Sequence, residues 1–250
     1  MTKTVKTYFI MKLFFGQIFP EIIIDSDEQQ HITKVLRMRE GEEIYLTDGK
    51  GNLAKGTLVF EGKKVSLKVS EVKENLPDFS PKLHIAIAPT KNIDRIEFFV
   101  EKAVEMGISE ISFILTDQTE RKNISIEKLK KQAIGASKQS LRSHFPKIND
   151  LQKFSEFIKD LNPESTFVAH CNENLERINL NDLKNQESRV KNQNSDEQIT
   201  FLIGPEGDFS DKEIQLLAEK GVKAVSLGNQ RLRTETAGIF VASWNYDMMF

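Results

Sequence analysis

From Leu83 onward the chain alternates short apolar runs with amphipathic helical stretches, and this rhythm restricts the fold more than any other feature. The apolar runs are LHIAIAP (83–89), EISFILT (110–116), STFVAH (165–170), ITFLIGP (199–205) and VKAVSLG (222–228). Helical stretches at 93–107, 125–141, 211–221 and 234–249 separate or follow them, with a short helix around Phe154–Leu161. In the first, Ile96, Phe99, Val100 and Ala103 share one side. Strands separated by helices cannot pair as hairpins. The pattern therefore predicts a mainly parallel α/β sheet.

Residues 12–72 follow a different pattern. LFFGQIF, EEIYLTDG (42–49), NLAKGTLVF (52–60) and KKVSLKVSEV (63–72) are rich in β-branched and aromatic residues and are punctuated by Asp48-Gly49 and Glu61-Gly62. Between the first two lies DSDEQQHITKVLRM, a helix that Ser26 can cap with Gln29 three residues on and whose apolar side is Ile32, Val35 and Leu36. A small β-barrel with one helix is expected over 11–76. The polar, twice-proline stretch 73–82 supplies a linker at 77–82, and the α/β domain occupies 83–250. The first ten residues read as a disordered extension, and KNQESRVKNQNSDEQ (184–198) as a mobile loop.

Composition excludes several classes. No apolar run approaches the ~18–20 residues of a membrane-spanning helix. The one cysteine, Cys171, forbids an internal disulfide and suits a reducing cytoplasm. His31, His84, His144 and His170 have no metal-ligand spacing, so no metal is expected. No G-x-G-x-x-G follows the first α/β strand, which argues against a conventional dinucleotide enzyme. The formal net charge is −2, so a nucleic-acid partner would have to meet a local basic patch.

Two segments carry the chemistry. In FLIGPEGDFSDKEI (201–214) an apolar strand runs through Gly204 and Gly207 into a helix capped by Ser210 and Glu213. In SLGNQRLRTETAG (226–238) a strand ends in glycine, a loop carries two arginines, and a helix starts near Thr234 with Glu235 in its first turn. Alone, each also reads as an ordinary strand-to-helix turn. Together, at the carboxyl ends of parallel strands, they make a ligand pocket.

GPEGDFS followed by LGNQRLRTETA resembles the paired signature of the RsmE family, the bacterial 16S ribosomal RNA uracil-N3 methyltransferases of the SPOUT class. HITKVLRMREGEEIYLTDGKG (31–51), KNIDRIEFFVEKAVEMGISEISFILTDQTER (91–121) and ASKQSLRSHFPKI (136–148) are similar to further blocks of that family. The resemblance implies a PUA-like barrel followed by an α/β domain with a trefoil knot, and a homodimer. It implies S-adenosylmethionine held by Leu202, Ile203, Gly204, Pro205, Glu206, Gly207, Leu227, Gly228, Leu232, Arg233, Thr234, Glu235, Thr236 and Ala237. The chain departs from the pattern at Asp208, Lys138 and Leu141. A glycine is expected at the first, an acid at the second and a glycine at the third, while Gln139 and Arg142 are retained.

Methyl transfer from a sulfonium needs positioning more than covalent help. Carbon methylation at pyrimidine C5 wants a thiol nucleophile; Cys171 follows an apolar strand and reads as core, which favours attack by nitrogen or oxygen. Deprotonation of uracil N3 leaves Glu235 or Asp208 as base, or Arg233 as stabiliser of the anion, as alternatives. Lys34, Arg37, Arg39, Arg121, Lys122, Lys138, Arg142 and Arg231 are candidates to hold 16S ribosomal RNA, free or within the small subunit. A ribose 2′-O-methyltransferase and a non-catalytic RNA-binding assembly factor are the competing expectations.

Overall fold

The structure, a computed structural model, describes residues 11–62, 64–172, 176–187 (side chains only to 183) and 198–249. The expected extension 1–10 and residues 188–197 of the expected loop lie outside this set. The chain divides into two compact units. One is the N-terminal stretch through Asp78 together with Ser137–Phe145, and the other is Phe79–Ala136 together with Pro146–Phe250.

The first unit is a five-stranded sheet of β1 (Leu13–Gln17), β2 (Ile23–Ile24), β3 (Glu43–Thr47), β4 (Leu53–Glu61) and β5 (Lys64–Lys73), in the order β2-β1-β3-β4-β5. Alternation in β4 turns Ala54, Gly56 and Leu58 inward, where they meet Phe14, Ile18, Ile24, Ile44, Leu46 and Val65. Gln29 on helix α1 (Ser26–Gln30) accepts a hydrogen bond from the Val65 amide at 3.1 Å, so the sheet curls into a nearly closed barrel. Helix α1 is capped by Asp25, whose carboxylate accepts from the Asp27 amide at 2.9 Å, and not by Ser26 as expected. Asx side chains reach the amide two residues on as readily as a serine reaches the third. The apolar side also needs correction. A π-type turn over His31–Val35 widens the spiral, so Ile32 is buried while Val35 and Leu36 are 67% and 46% exposed.

The chain returns to this unit at 137–145, a stretch that the contiguous division expected from the sequence places elsewhere. Gly51 donates to the Ser143 carbonyl and Phe145 to that of Gly49, both at 2.9 Å. The Phe145 ring lies 5.4 Å from that of Phe15. Barrel and segment share one hydrogen-bonded edge.

The second unit holds a seven-stranded sheet in which every pair is parallel. Its strands are β6 (Lys82–Ile87), β7 (Glu110–Leu115), β8 (Lys147–Lys153), β9 (Thr166–Ala169), β10 (Ile178–Asn179), β11 (Gln198–Ile203) and β12 (Lys223–Ser226), in the order β10-β12-β9-β11-β6-β7-β8. Helices α2 (Ile93–Glu105), α3 (Ile126–Gln139), α4 (Phe154–Phe157), α5 (Leu180–Glu187), α6 (Asp211–Glu219) and α7 (Thr234–Met248) follow the strands. Side chains of β11 alternate between two cores. Phe201 and Ile203 join Phe99, Phe113 and Val241, whereas Leu202 joins Ile114, Val168 and Phe209. Burial on both faces explains the continuous apolar reading of the central strands. Strand β8 was not expected, because KINDLQK is an edge strand with polar residues on its open side. Residues 184–187 form the end of α5 rather than loop. Among the described residues, no helix is long and apolar enough to cross a membrane.

Leu141, where the resemblance leads one to expect glycine, has φ +58° and is 49% exposed. Its side chain adds little packing while its backbone sits in the left-handed region, so Leu141→Gly is expected to raise stability by up to about 1 kcal/mol in urea denaturation.

Candidate active site

In sequence β12 follows β11, but in the sheet β9 lies between them. Three strand ends, Ala169, Ile203 and Ser226, therefore face the same crevice, the position that ligands take in open α/β sheets. The loop after β11 turns through Gly204-Pro205-Glu206, and the loop after β12 runs from Leu227 to the start of α7. They are joined directly, since the buried Thr234 hydroxyl donates to the Gly204 carbonyl at 3.0 Å. Between the loops opens a cavity of about 290 Å³. Gly228 has φ +124° with open space where a side chain would start, so glycine keeps both the turn and the cavity. Helix α7 seats closely below, because Gly238 leaves no room for a Cβ against the Phe99 ring, which would lie at 2.5 Å.

Ile203, Gly204, Pro205, Glu206, Leu227, Gly228, Leu232, Arg233, Thr234 and Ala237 all line the cavity, as does Asp208. Four expected residues do not. The Leu202 side chain is fully buried in the core beside Phe209. Gly207 faces Gln118, whose Cβ would lie 3.2 Å from an added methyl. Glu235 is buried toward Arg95, and Thr236 is exposed on the first turn of α7. Sequence reasoning missed Ala169, His170, Cys171, Arg177 and Gln230, which also line the cavity. The first three belong to the end of β9, whose insertion between β11 and β12 leaves no mark on the local pattern.

Asp208 has φ +65°, a backbone that Asp tolerates better than most residues. Its carboxylate accepts from the Cys171 amide at 2.7 Å and from its own neighbour Phe209 at 2.8 Å. It thereby ties the GPEG bend to the end of β9. Cys171 is exposed at the cavity, contrary to the core assignment made from the apolar run before it, because the strand ends two residues earlier. His170 accepts from the Asn172 amide at 3.2 Å through Nδ1, which leaves its proton on Nε2. Burial, aided by Arg177, holds this imidazole below its usual pKa against the opposing pull of Asp208. The ring is neutral at pH 7. Replacing Asp208 by Ala removes both carboxylate bonds and keeps a Cβ at positive φ, so a loss of about 2 kcal/mol is expected in urea unfolding, with Asp208→Asn retaining most of it.

The basic candidates separate into three groups. Lys34, Arg37, Arg39, Lys122 and Arg231 are exposed. Arg121 is turned onto the main chain, donating to the carbonyls of Thr90 and Lys91. Lys138 and Arg142 are not open surface cations. Lys138 is ion-paired with the buried Glu28, and Arg142 is 4% exposed, with burial pushing its guanidinium down to about 10 against the attraction of Asp78. A cation on a helix face gives no sign in sequence of whether an acid waits opposite it.

At the amino ends of the strands lies a second, polar cavity of about 660 Å³. His84 is held there by the Ser112 hydroxyl at 2.8 Å and by Thr200 at 3.4 Å. Burial lowers its pKa to about 4, with Lys147 acting in the same direction and Glu110 opposing. The folded value lies below the unfolded one, so on acidification the unfolded chain takes up the proton first. Stability is expected to be full above pH 6.5 and to fall by up to about 3 kcal/mol as pH drops toward 4. Thermal melts across that range check this, and His84→Gln should reduce the dependence, leaving the smaller share of His170. Among the described residues, no group of three or more His, Cys, Asp or Glu side chains could hold a metal ion.

The fold and cavity define an α/β enzyme whose ligand sits in two glycine-bearing loops, in a chain that also carries a barrel-like sheet. Residues 78–245 match the model of the RNA methyltransferase domain, and residues 24–70 that of the RNA methyltransferase PUA domain. The ribosomal RNA small subunit methyltransferase E of Rickettsia conorii is 29% identical over 222 residues, covering 88% of this chain and 86% of that protein. Among solved structures, a probable rRNA-methyltransferase from Porphyromonas gingivalis is 33% identical, covers 96% of this chain and 98% of its own, and superposes with a TM-score of 0.81. A putative methyltransferase from Legionella pneumophila in complex with bound S-adenosylmethionine is 25% identical, with a TM-score of 0.80 over 94% of this chain and 96% of its own. The chain belongs to the RNA methyltransferase family and, within it, to the ribosomal RNA small subunit methyltransferases E.

Proposed function

We propose that this protein binds S-adenosylmethionine in the crevice of β9, β11 and β12 and methylates N3 of a uridine in 16S ribosomal RNA. The observation that carries the reading is the bond from Thr234 to Gly204, which folds both glycine-bearing loops around one open cavity. The residues fit this cofactor. Ile203, Val225, Leu227 and Leu232 offer apolar surface for a purine, and the main chain at Gly204–Glu206 and Gly228 offers hydrogen-bonding groups beside open space. When bound, S-adenosylmethionine supplies an electrophilic methyl group.

The chain's own residues do the rest. Arg233, which is exposed and lines the cavity, stabilises the uracil anion that N3 attack requires. Asp208 spends its carboxylate on two amides and acts as a structural tie, and Glu235 is turned away toward Arg95. Arg233 is thus the strongest of the three catalytic candidates. The exposed Cys171 removes the argument against carbon attack that its burial would have supplied, so nitrogen rests on the family relationship. N3 lies on the Watson–Crick edge, so the target nucleotide must be unpaired or flipped out. Lys34, Arg37 and Arg39 on the barrel, and Lys122 and Arg231 on the α/β unit, supply exposed cations for phosphates, and binding should weaken steeply with salt.

The reading includes a cytoplasmic location, a small-subunit substrate and a homodimer. The exposed Phe98 on α2 and Phe240 and Tyr246 on α7 offer apolar surface for a second copy. The deciding experiment incubates the protein with S-adenosylmethionine and unmethylated small subunits or naked 16S RNA, followed by nucleoside mass spectrometry. N3-methyluridine is expected, reduced at least tenfold for Arg233→Ala. A 2′-O-methyl or C5-methyl product would reassign the atom, and no product together with no cofactor binding in calorimetry would leave an RNA-binding assembly factor.

A further inference from the structure

The two loops around the cavity carry acids that the cavity itself does not satisfy. Glu206, in the GPEG bend, accepts a hydrogen bond from the Lys91 amide at 3.1 Å. Glu235, in the first turn of α7, is 8% exposed, and its Oε2 is buried with no hydrogen-bond partner. One side chain reaches both. Arg95, in the first turn of α2, places Nη1 3.8 Å from Glu206 Oε1 and Nε 3.8 Å from Glu235 Oε1. These separations are too long for hydrogen bonds and are electrostatic contacts. A buried carboxylate without a counter-charge is costly, and two acids on facing loops repel each other.

We propose that Arg95 is a positioning residue, whose guanidinium holds the GPEG bend and the start of α7 together and so keeps the cofactor cavity in its binding shape. Its own anchorage supports this. Helix α2 is fixed to the sheet by Ile96, Phe99 and Val100, all fully buried, so the guanidinium projects from a rigid element toward two loops. The loop before α2 is held as well, because Arg121 donates to the Lys91 carbonyl at 2.7 Å while the Lys91 amide bonds Glu206. Arg121, Lys91, Glu206, Arg95 and Glu235 form one chain of contacts that ends on both loops. The bond from Thr234 to Gly204 joins the loops at one point, and Arg95 supplies a second, so rotation about the first is blocked.

The inference rests on the cofactor-site reading, and two readouts keep them apart. Binding of S-adenosylhomocysteine is measured by calorimetry for wild type, Arg95→Met, Arg95→Lys, Glu235→Gln and the Arg95→Met/Glu235→Gln double variant. Amide hydrogen exchange over 204–209 and 228–235 is measured on the same proteins without ligand. Arg95→Met is expected to weaken binding by roughly tenfold, the scale of a coupled charge pair, and to speed exchange in both loops. Arg95→Lys should recover most of the loss. In the double variant the penalty should be smaller than the sum of the singles, because no buried charge is left without its partner. Wild-type affinity and wild-type exchange in Arg95→Met overturn the proposal, as does strict additivity in the cycle. Should wild type itself fail to bind S-adenosylhomocysteine, the cofactor reading falls, and loop exchange still decides the role of Arg95. If Arg95→Met does not fold, the Lys and double variants carry the comparison.

Discussion

The bond between the Thr234 hydroxyl and the Gly204 carbonyl spans thirty residues of sequence and crosses over a strand that belongs to neither loop. It forms only because β9 separates β11 from β12 by one strand's width and lets the two following loops lean over its end. Move β9 elsewhere in the order and the loops either collide or lose each other. The crevice, its apolar floor at Ile203 and Val225, and the approach of α7 through Gly238 all follow from that placement. Asp208 reinforces it from the other side by gripping the Cys171 amide at the end of β9.

Electrostatics in the α/β unit are arranged around loops more than around the sheet. At the carboxyl ends, Arg95 contacts Glu206 and the buried Glu235 only at 3.8 Å, across two loops. At the amino ends, His84, Ser112, Asn149, Glu110 and Gln198 are knitted by short hydrogen bonds into a closed polar network. The polar groups at the amino ends are thus tied to one another, whereas the glycine-bearing loops at the carboxyl ends leave main-chain groups facing their cavity.

Much of this was legible in the residues. The central strands announce themselves by continuous apolar runs because both faces are buried, and α6 by the Ser210–Glu213 capping box that the structure contains. The glycine-bearing bends were legible because few residues suit such turns. Other features were not. Strand order is set by which long-range pairings win, and nothing within STFVAH states that it lies between two later strands. Strand β8 hid behind its polar edge, and the cap of α1 fell one residue early because Asp25 and Ser26 are both competent. Lys138 and Arg142 read as surface cations because their partners, Glu28 and Asp78, are more than sixty residues away in sequence. Arg95 carries no local mark of its role for the same reason, its acids lying in loops more than a hundred residues downstream.

The pairing pattern also sets a timetable for synthesis. Strands β6, β7 and β8 are neighbours in the order in which they leave the ribosome, so that half of the sheet can assemble as it emerges. Strand β9 then finds no pairing partner: both of its neighbours, β11 and β12, are still to be made. When β11 arrives it must enter between β9 and β6, becoming a central strand after its flanks exist. Such late, long-range closure is slow and leaves apolar edges open in the meantime. A nascent chain of this protein therefore spends the interval between residues 169 and 226 with an unfinished sheet, and that window is when a chaperone would matter most.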